Sequence, residues 1–244
     1  MIHNNKLKNA PLKEVILEII WEENVDEFGN KFDLGFELAQ GKFSDIIKPN
    51  FPIHKKLFNS NQQPFYGVPV HQYWTDELEW PVIQHGQGIL TINQTEEKYT
   101  WTDFKKLILT TIASLKSSYE NNIIINRISL EYLDAFEMND IDSLSFIENN
   151  LQTSIETKYN LPGELSNIRI NRNYIQNDGT HLNINISDAV NNSTNTGAVI
   201  MVTSAIKENA DINQDFEENL EDLHNLCSKV FKTILDKNYY GSLN

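Results

Sequence analysis

The clearest pattern near the start of the chain is an alternation. From Leu12 to Trp21, Val15, Leu17 and Ile19 fall on one side and Ile16, Glu18 and Ile20 on the other, and the β-branched content makes this a strand. Pro11 stands just before it, where a missing N–H costs a ladder little. After a loop rich in Gly and Asn, Phe36 to Ile47 reads as a short helix. The stretch from Phe51 to Pro69 is polar, with Pro49 just upstream and Pro52, Pro64 and Pro69 within it, so irregular chain is expected. His71 to Trp74 predicts a strand end and Thr75 to Glu79 a turn. Trp80 to Asn93 predicts two strands joined through Gly86 and Gly88, glycines that permit a bulge or a close backbone approach. Phe104, Leu107, Ile108, Thr111, Ile112 and Leu115 then recur at helical spacing, with Thr102 as the expected N-cap. Ile123 to Phe136 returns to a strand with Ile128, Leu130 and Tyr132 on one face.

The second half reads in the same order. Ser143 to Tyr159 predicts a helix carrying Leu144, Ile147, Leu151 and Ile155, ended by Pro162-Gly163. Three strand-like runs follow, Ile168 to Ile175, His181 to Val190 and Gly197 to Ile206. Asn177-Asp178-Gly179 between the first two is a hairpin turn, since these residues tolerate the positive φ it needs. Phe216 to Tyr240 predicts one long amphipathic helix with Leu220, Leu223, Leu226, Cys227, Val230, Phe231 and Ile234 on its apolar side. Short turns imply antiparallel pairing. The fold class expected is α+β: one or two antiparallel sheets covered by long amphipathic helices, in two strand–strand–helix halves readable as a pseudo-repeat. The halves divide at residues 1–140 and 141–244, sharing one core.

Composition sharpens the functional side. The chain has 244 residues, 40% hydrophobic and 22% charged, an ordinary globular balance. With 20 basic and 34 acidic side chains its formal charge is −14, which opposes generic binding to nucleic acid or anionic membranes and suits a basic partner. No apolar run is long enough for a bilayer, and residues 1–10 lack the apolar core of a secretory signal. One cysteine, Cys227, fits a reducing compartment. The expectation is a soluble cytoplasmic protein.

Motifs for chemistry are few. Gly86-Gln-Gly88 lacks the third glycine and the following helix of a phosphate loop. The six histidines show none of the local spacings of metal ligands, and Asp140-Ile-Asp142 lacks the rest of a calcium loop. Cys227 sits on an apolar helical stripe, and no nucleophile elbow occurs. Glu131 and Asp134 are the carboxylates to watch. No catalytic, cofactor-binding or metal residue is assigned, no cofactor is expected, and the reading leans away from an enzyme. Two features remain. Trp74, Trp80, Tyr99 and Trp101 crowd a short span, and seven acids between Glu208 and Asp222 surround the start of the last helix without a Lys or Arg. Arg127 on its apolar strand should be paired, with Glu14 or Glu18 as partner.

Four motifs follow one another in order. Pro11-x-x-Glu14-x-x-x-Glu18, Pro81-x-x-Gln84-x-Gly86-x-Gly88, Tyr99-x-Trp101-x-x-Phe104 and Arg127-x-x-Leu130-x-Tyr132 together resemble a sporadically distributed bacterial protein family without an established function. His85 departs from the pattern, where an apolar residue is usual. The patchy distribution implied by this resemblance is that of mobile or defence-linked genes.

The leading expectation is therefore a non-enzymatic interaction or accessory protein, of a toxin–antitoxin or anti-phage system, with a protein partner or homo-oligomer. The alternative is a small-molecule-binding domain whose pocket lies between sheet and helix. Trp80, Gln84, Trp101, Arg127 and Tyr132 are the expected ligand or partner surface. An enzyme of unrecognised type is the third reading.

Overall fold

A computed structural model describes residues 7–21, 24–57, 65–77, 79–120, 123–138, 141–156, 158, 165–191, 196–208 and 213–244. Pro64, Asp140, Pro162-Gly163 and Asp211, which figure in the sequence reading, lie outside these residues. The chain is mixed α and β, with a large antiparallel sheet and, among the described residues, five helices. Its strands are β1 (Leu12–Trp21), β4 (Ile53–Lys56), β5 (Pro69–Asp76), β6 (Glu79–Gly86), β7 (Ile89–Thr95), β8 (Ile125–Glu137), β9 (Arg169–Ile175), β10 (His181–Asn191) and β11 (Thr196–Glu208). They hydrogen-bond in the order β4-β5-β6-β7-β1-β8-β11-β10-β9, and a separate hairpin pairs β2 (Asn24–Val25) with β3 (Lys31–Phe32). The helices are α1 (Phe36–Ile47), α2 (Trp101–Ser118), α3 (Ser143–Asn150), α4 (Phe216–Ile234) and α5 (Lys237–Ser242).

Two compact units emerge, and each takes pieces from both halves of the sequence. The first comprises Met1–Glu14, Glu131–Ala205 and His224–Asn244. Its core gathers Phe136, Phe146, Ile147, Leu151, Leu182, Ile184, Ile186, Val199, Met201, Leu235 and Leu243. Burying each such side chain is worth about 1.5–3 kcal/mol. Leu182, Ile184 and Ile186 alternate with Asn183 and Asn185, so one face of β10 is buried and the other polar. The β9–β10 turn is the expected one: Gly179 has φ 83°, and its N–H donates to the Gln176 carbonyl at 3.0 Å.

The second unit comprises Val15–Leu130 and Ile206–Leu223. Val15, Leu17 and Ile19 of β1 are fully buried, as the alternation requires, with Ile83, Leu90, Ile92, Phe43, Ile108 and Leu115 among the other buried residues. The two glycines after Pro81 owe their place to a chain crossing. A Cβ on Gly86 would stand 2.0 Å from the Val68 carbonyl oxygen, and one on Gly88 2.0 Å from the Tyr66 ring. The Gly67 N–H donates to the Gln87 carbonyl at 2.8 Å, fastening that crossing segment to the β6–β7 turn. This close approach, with φ 69° at Gly88, explains the glycine pair without any phosphate.

Several expectations need correction. The Pro-rich stretch contains a true strand, β4, paired antiparallel with β5. Helix α2 is capped by Thr100, not Thr102: Thr100 is extended, and its Oγ1 accepts from the Asp103 N–H at 3.2 Å. Helix α3 ends at Asn150 because Gln152 turns to φ 41°. The last helix is two, since the chain breaks after Ile234 and Asp236 caps α5 through the N–H groups of Asn238 and Tyr239. The strand order has consecutive runs of four strands, β4 to β7, and three, β9 to β11, and does not confirm the expected pseudo-repeat.

Candidate functional site

In the second unit the polar centre is Asp33, placed between β3 and α1. One carboxylate oxygen, Oδ2, accepts from Trp21 Nε1 at 2.9 Å and from the Tyr119 hydroxyl at 2.5 Å. The other accepts from the Gly35 N–H at 3.0 Å, at the start of α1. Gln87 of the β6–β7 turn accepts from the Asp33 N–H at 3.2 Å. Three donors thus hold a carboxylate that would otherwise be costly to enclose. Burial and the neighbouring Asp33 charge push the Tyr119 phenol upward, so it stays a donor at any physiological pH. Tyr119 also lies edge-on to Trp21, with ring centroids 5.7 Å apart.

Above this centre opens a cleft of about 370 Å³ whose lining includes Trp21, Asp33, Leu38, Lys42, Tyr119 and Ile124. Lys42 and Glu120 form a 2.7 Å ion pair at its side, both well exposed, and such pairs contribute little. Leu38 and Ile124 are 70% and 47% exposed. Leu34 is 80% exposed, and its N–H donates to Asn24 Oδ1, itself part of the lining. Val25 and Phe28 of the adjoining β2–β3 hairpin are exposed as well. Leu38 and Ile124 line the cleft itself, and Val25, Phe28 and Leu34 lie on the stretch between its lining residues Asn24 and Gly35.

A second constellation lies on β4, β5 and β6, and local spacing could not have found it. His71 is the register partner of His85, and His54 Nε2 faces His71 Nδ1 at 2.8 Å. His54 also stacks on Tyr73, centroids 4.8 Å apart and rings 13° from parallel. Phe36 and Phe43 of α1 close over the row, at 5.2 and 4.9 Å from the His85 ring. His85 is completely buried, and neither ring nitrogen has a hydrogen-bond partner. Desolvation, aided by His71, pushes its imidazole down to about 3. Burial and the charges of His54 and Lys56 push His71 down to about 4. Both are neutral at pH 7. Trp21 joins the two constellations, its ring 6.0 Å from His85 and its N–H on Asp33.

The five residues expected to form one surface each end in a contact of their own. Trp80 lies edge-on to Trp74 at 5.6 Å. Gln84 accepts from Gln72 Nε2 at 3.1 Å. Trp101 Nε1 donates to both oxygens of Glu221, which also holds Lys105 at 2.9 Å, so part of the acidic start of α4 serves as an internal clamp on α2. Arg127 pairs with Glu18 at 2.5 Å, the second of the two partners the sequence offered. Tyr132 shares a 2.7 Å hydrogen bond with His224 Nδ1. None of the five lines the Asp33 cleft.

Cys227 is buried, and burial pushes its thiol up to about 12, which makes it unreactive. Burial likewise raises the Asp134 carboxyl to about 7. Among the described residues no three His, Cys, Asp or Glu side chains gather as a metal cluster, and no helix is long and apolar enough to cross a membrane. No family model, curated protein or solved structure matches the chain.

Proposed function

We propose that this chain is a non-catalytic interaction protein, the accessory subunit of a larger assembly, and that the rim of the Asp33 cleft is its docking face. The observation that carries this reading is a cleft with a hydrogen-bonded floor, lined by the exposed Leu38 and Ile124, with the exposed Val25, Phe28 and Leu34 on the stretch between its lining residues Asn24 and Gly35. A rigid floor under apolar anchors is what a hot spot needs, because little ordering cost is added on binding. The formal charge of −14 opposes self-association and favours a basic partner. An unreactive Cys227 and an Asp33 carboxylate already engaged by three donors supply no nucleophile or free base.

The test is native mass spectrometry of the protein purified gently from its host, alongside Leu38→Asp and Phe28→Asp. A stoichiometric second chain present in the wild type and lost in both variants, with unchanged circular dichroism, is the expected result. A partner retained by both variants moves the docking face elsewhere. The second reading, a small-molecule site, is favoured by the cleft volume of about 370 Å³, which falls in the range of about 300–1,000 Å³ typical of ligand pockets. It predicts extra small-molecule mass on the single chain and none on a Tyr119→Trp variant that fills the cleft.

A further inference from the structure

We propose that His54 and His71 form a binding site for a divalent transition-metal ion at the β4–β5 edge of the sheet. The two rings already face each other, with His54 Nε2 and His71 Nδ1 hydrogen-bonded at 2.8 Å. A metal bound by two imidazoles at about 2.0–2.1 Å each brings their nitrogens to about 2.9–3.3 Å from one another, so the two rings are within a few tenths of an ångström of ligation geometry. The backbone supplies the alignment. β4 and β5 pair antiparallel with His54 opposite Tyr73 and Lys56 opposite His71, which sets the two histidines on the same face, diagonally across the pair. Side packing limits their freedom. His54 is stacked on Tyr73, and Phe36 of α1 lies 6.1 Å from the His71 ring. Ligands held this way lose little rotamer freedom on binding.

Access and chemistry agree with this. His54 is exposed at the sheet edge while His71 is buried, so one ligand is anchored and the other faces water. Both rings are uncharged at neutral pH, because burial and Lys56 lower their proton affinity. The N–H that bridges the two facing nitrogens shifts to the far nitrogen of its own ring as the ion takes its place, which leaves a lone pair on each facing nitrogen. Imidazole ligands suit zinc, copper, nickel and cobalt over magnesium or calcium. Since no third His, Cys, Asp or Glu joins them among the described residues, the remaining coordination positions are open to water or to a donor from outside. Lys56 works against the ion, as it works against the proton, and neutralising it should tighten the site.

The experiment is isothermal titration of the full chain with Zn²⁺ at pH 7.5, repeated with Co²⁺ read by its visible absorption. The variants are His54→Ala, Lys56→Gln and, as controls, His181→Ala and His3→Ala. Expected is saturable binding of one ion per chain, weakened about tenfold or more by His54→Ala. Lys56→Gln should tighten it several-fold, and the two controls should match the wild type. Because His54→Ala removes the Tyr73 stack and the His71 hydrogen bond, a urea transition of each variant confirms that it is fully folded under the titration conditions, which separates lost ligation from lost folding. Absence of saturable binding, binding unchanged in His54→Ala, or binding lost in either control would overturn the proposal.

Discussion

Replacing His85 by Met should stabilise the second unit, and by more in acid than at neutral pH. The wild-type ring is fully buried with both nitrogens unpartnered, and a buried polar group left unsatisfied costs about 1–3 kcal/mol. Met matches the volume and offers a thioether to Phe36, Phe43 and Trp21, the three rings that surround the site. A gain of about 1–3 kcal/mol at pH 7.5 follows. The pH dependence has a definite sign. The folded imidazole titrates near 3 and the unfolded one near 6.5, so the unfolded chain takes up the proton first as pH falls. Stability from this residue is fully present above about 6.5 and is lost progressively towards 3. Between pH 7.5 and 4.5 the wild type should lose about 3 kcal/mol that the variant keeps, at about 1.4 kcal/mol per pH unit. Urea unfolding read by tryptophan fluorescence measures the right unit, because Trp21, Trp74, Trp80 and Trp101 all belong to it. A variant less stable than wild type at pH 7.5, or an equal difference at both pH values, would refute the reasoning.

The remaining predictions concern other links. Asp134→Asn should stabilise the first unit at alkaline pH. The folded carboxyl sits near 7 against 3.8, so its contribution is intact below about 3.8 and lost as pH rises to 7. The gain should reach about 4 kcal/mol at pH 8 and nearly vanish at pH 4 by urea titration followed by circular dichroism. Tyr119→Phe removes one of three donors to Asp33 and should cost about 1.5–3 kcal/mol in the fluorescence-monitored transition. Gly86→Ala should cost about 3 kcal/mol or fail to fold, because the obstacle is the Val68 backbone. Gly88→Ala should cost about 1–3 kcal/mol, and Tyr66→Ala in the same chain should relieve its steric part while the φ of 69° remains; a Tyr66→Ala background with no relief would count against the crossing.

What the sequence displayed was what local physics determines. β1 announced itself by alternation because one of its faces is buried, α1 matched its expected span, and the Asn177-Asp178-Gly179 turn carried its own φ requirement. β4 was hidden because Ile-His-Lys-Lys has a single aliphatic residue and stands among prolines, so only pairing with β5 makes it a strand. The break between α4 and α5 was hidden for the opposite reason: Leu235 keeps the apolar stripe going, while Asp236 stops the helix by capping the next one. Arg127 was legible because a charge on an apolar strand has to be compensated, and the neighbouring strand offered two acids.

The candidate sites were the least legible part, and the reason is register. Metal and catalytic motifs can be read locally when their ligands share a helix or a loop, since spacing along the chain is then spacing in space. On an antiparallel sheet the neighbour of a side chain is set by where the intervening turn falls. His54 and His71 lie 17 positions apart and His85 further on, intervals with no meaning until β4, β5 and β6 are paired. The same holds for Asp33, two of whose three donors come from 12 positions upstream and 86 downstream. Aromatic density drew attention to Trp74, Trp80 and Trp101, yet the tryptophan that connects the histidine row to the cleft is Trp21, at the end of the alternating strand β1. Its burial was predictable from β1's alternation, and its indole N–H then had to find an acceptor. Asking which acid could reach that N–H is the one step that would have led from the sequence towards Asp33 and the cleft.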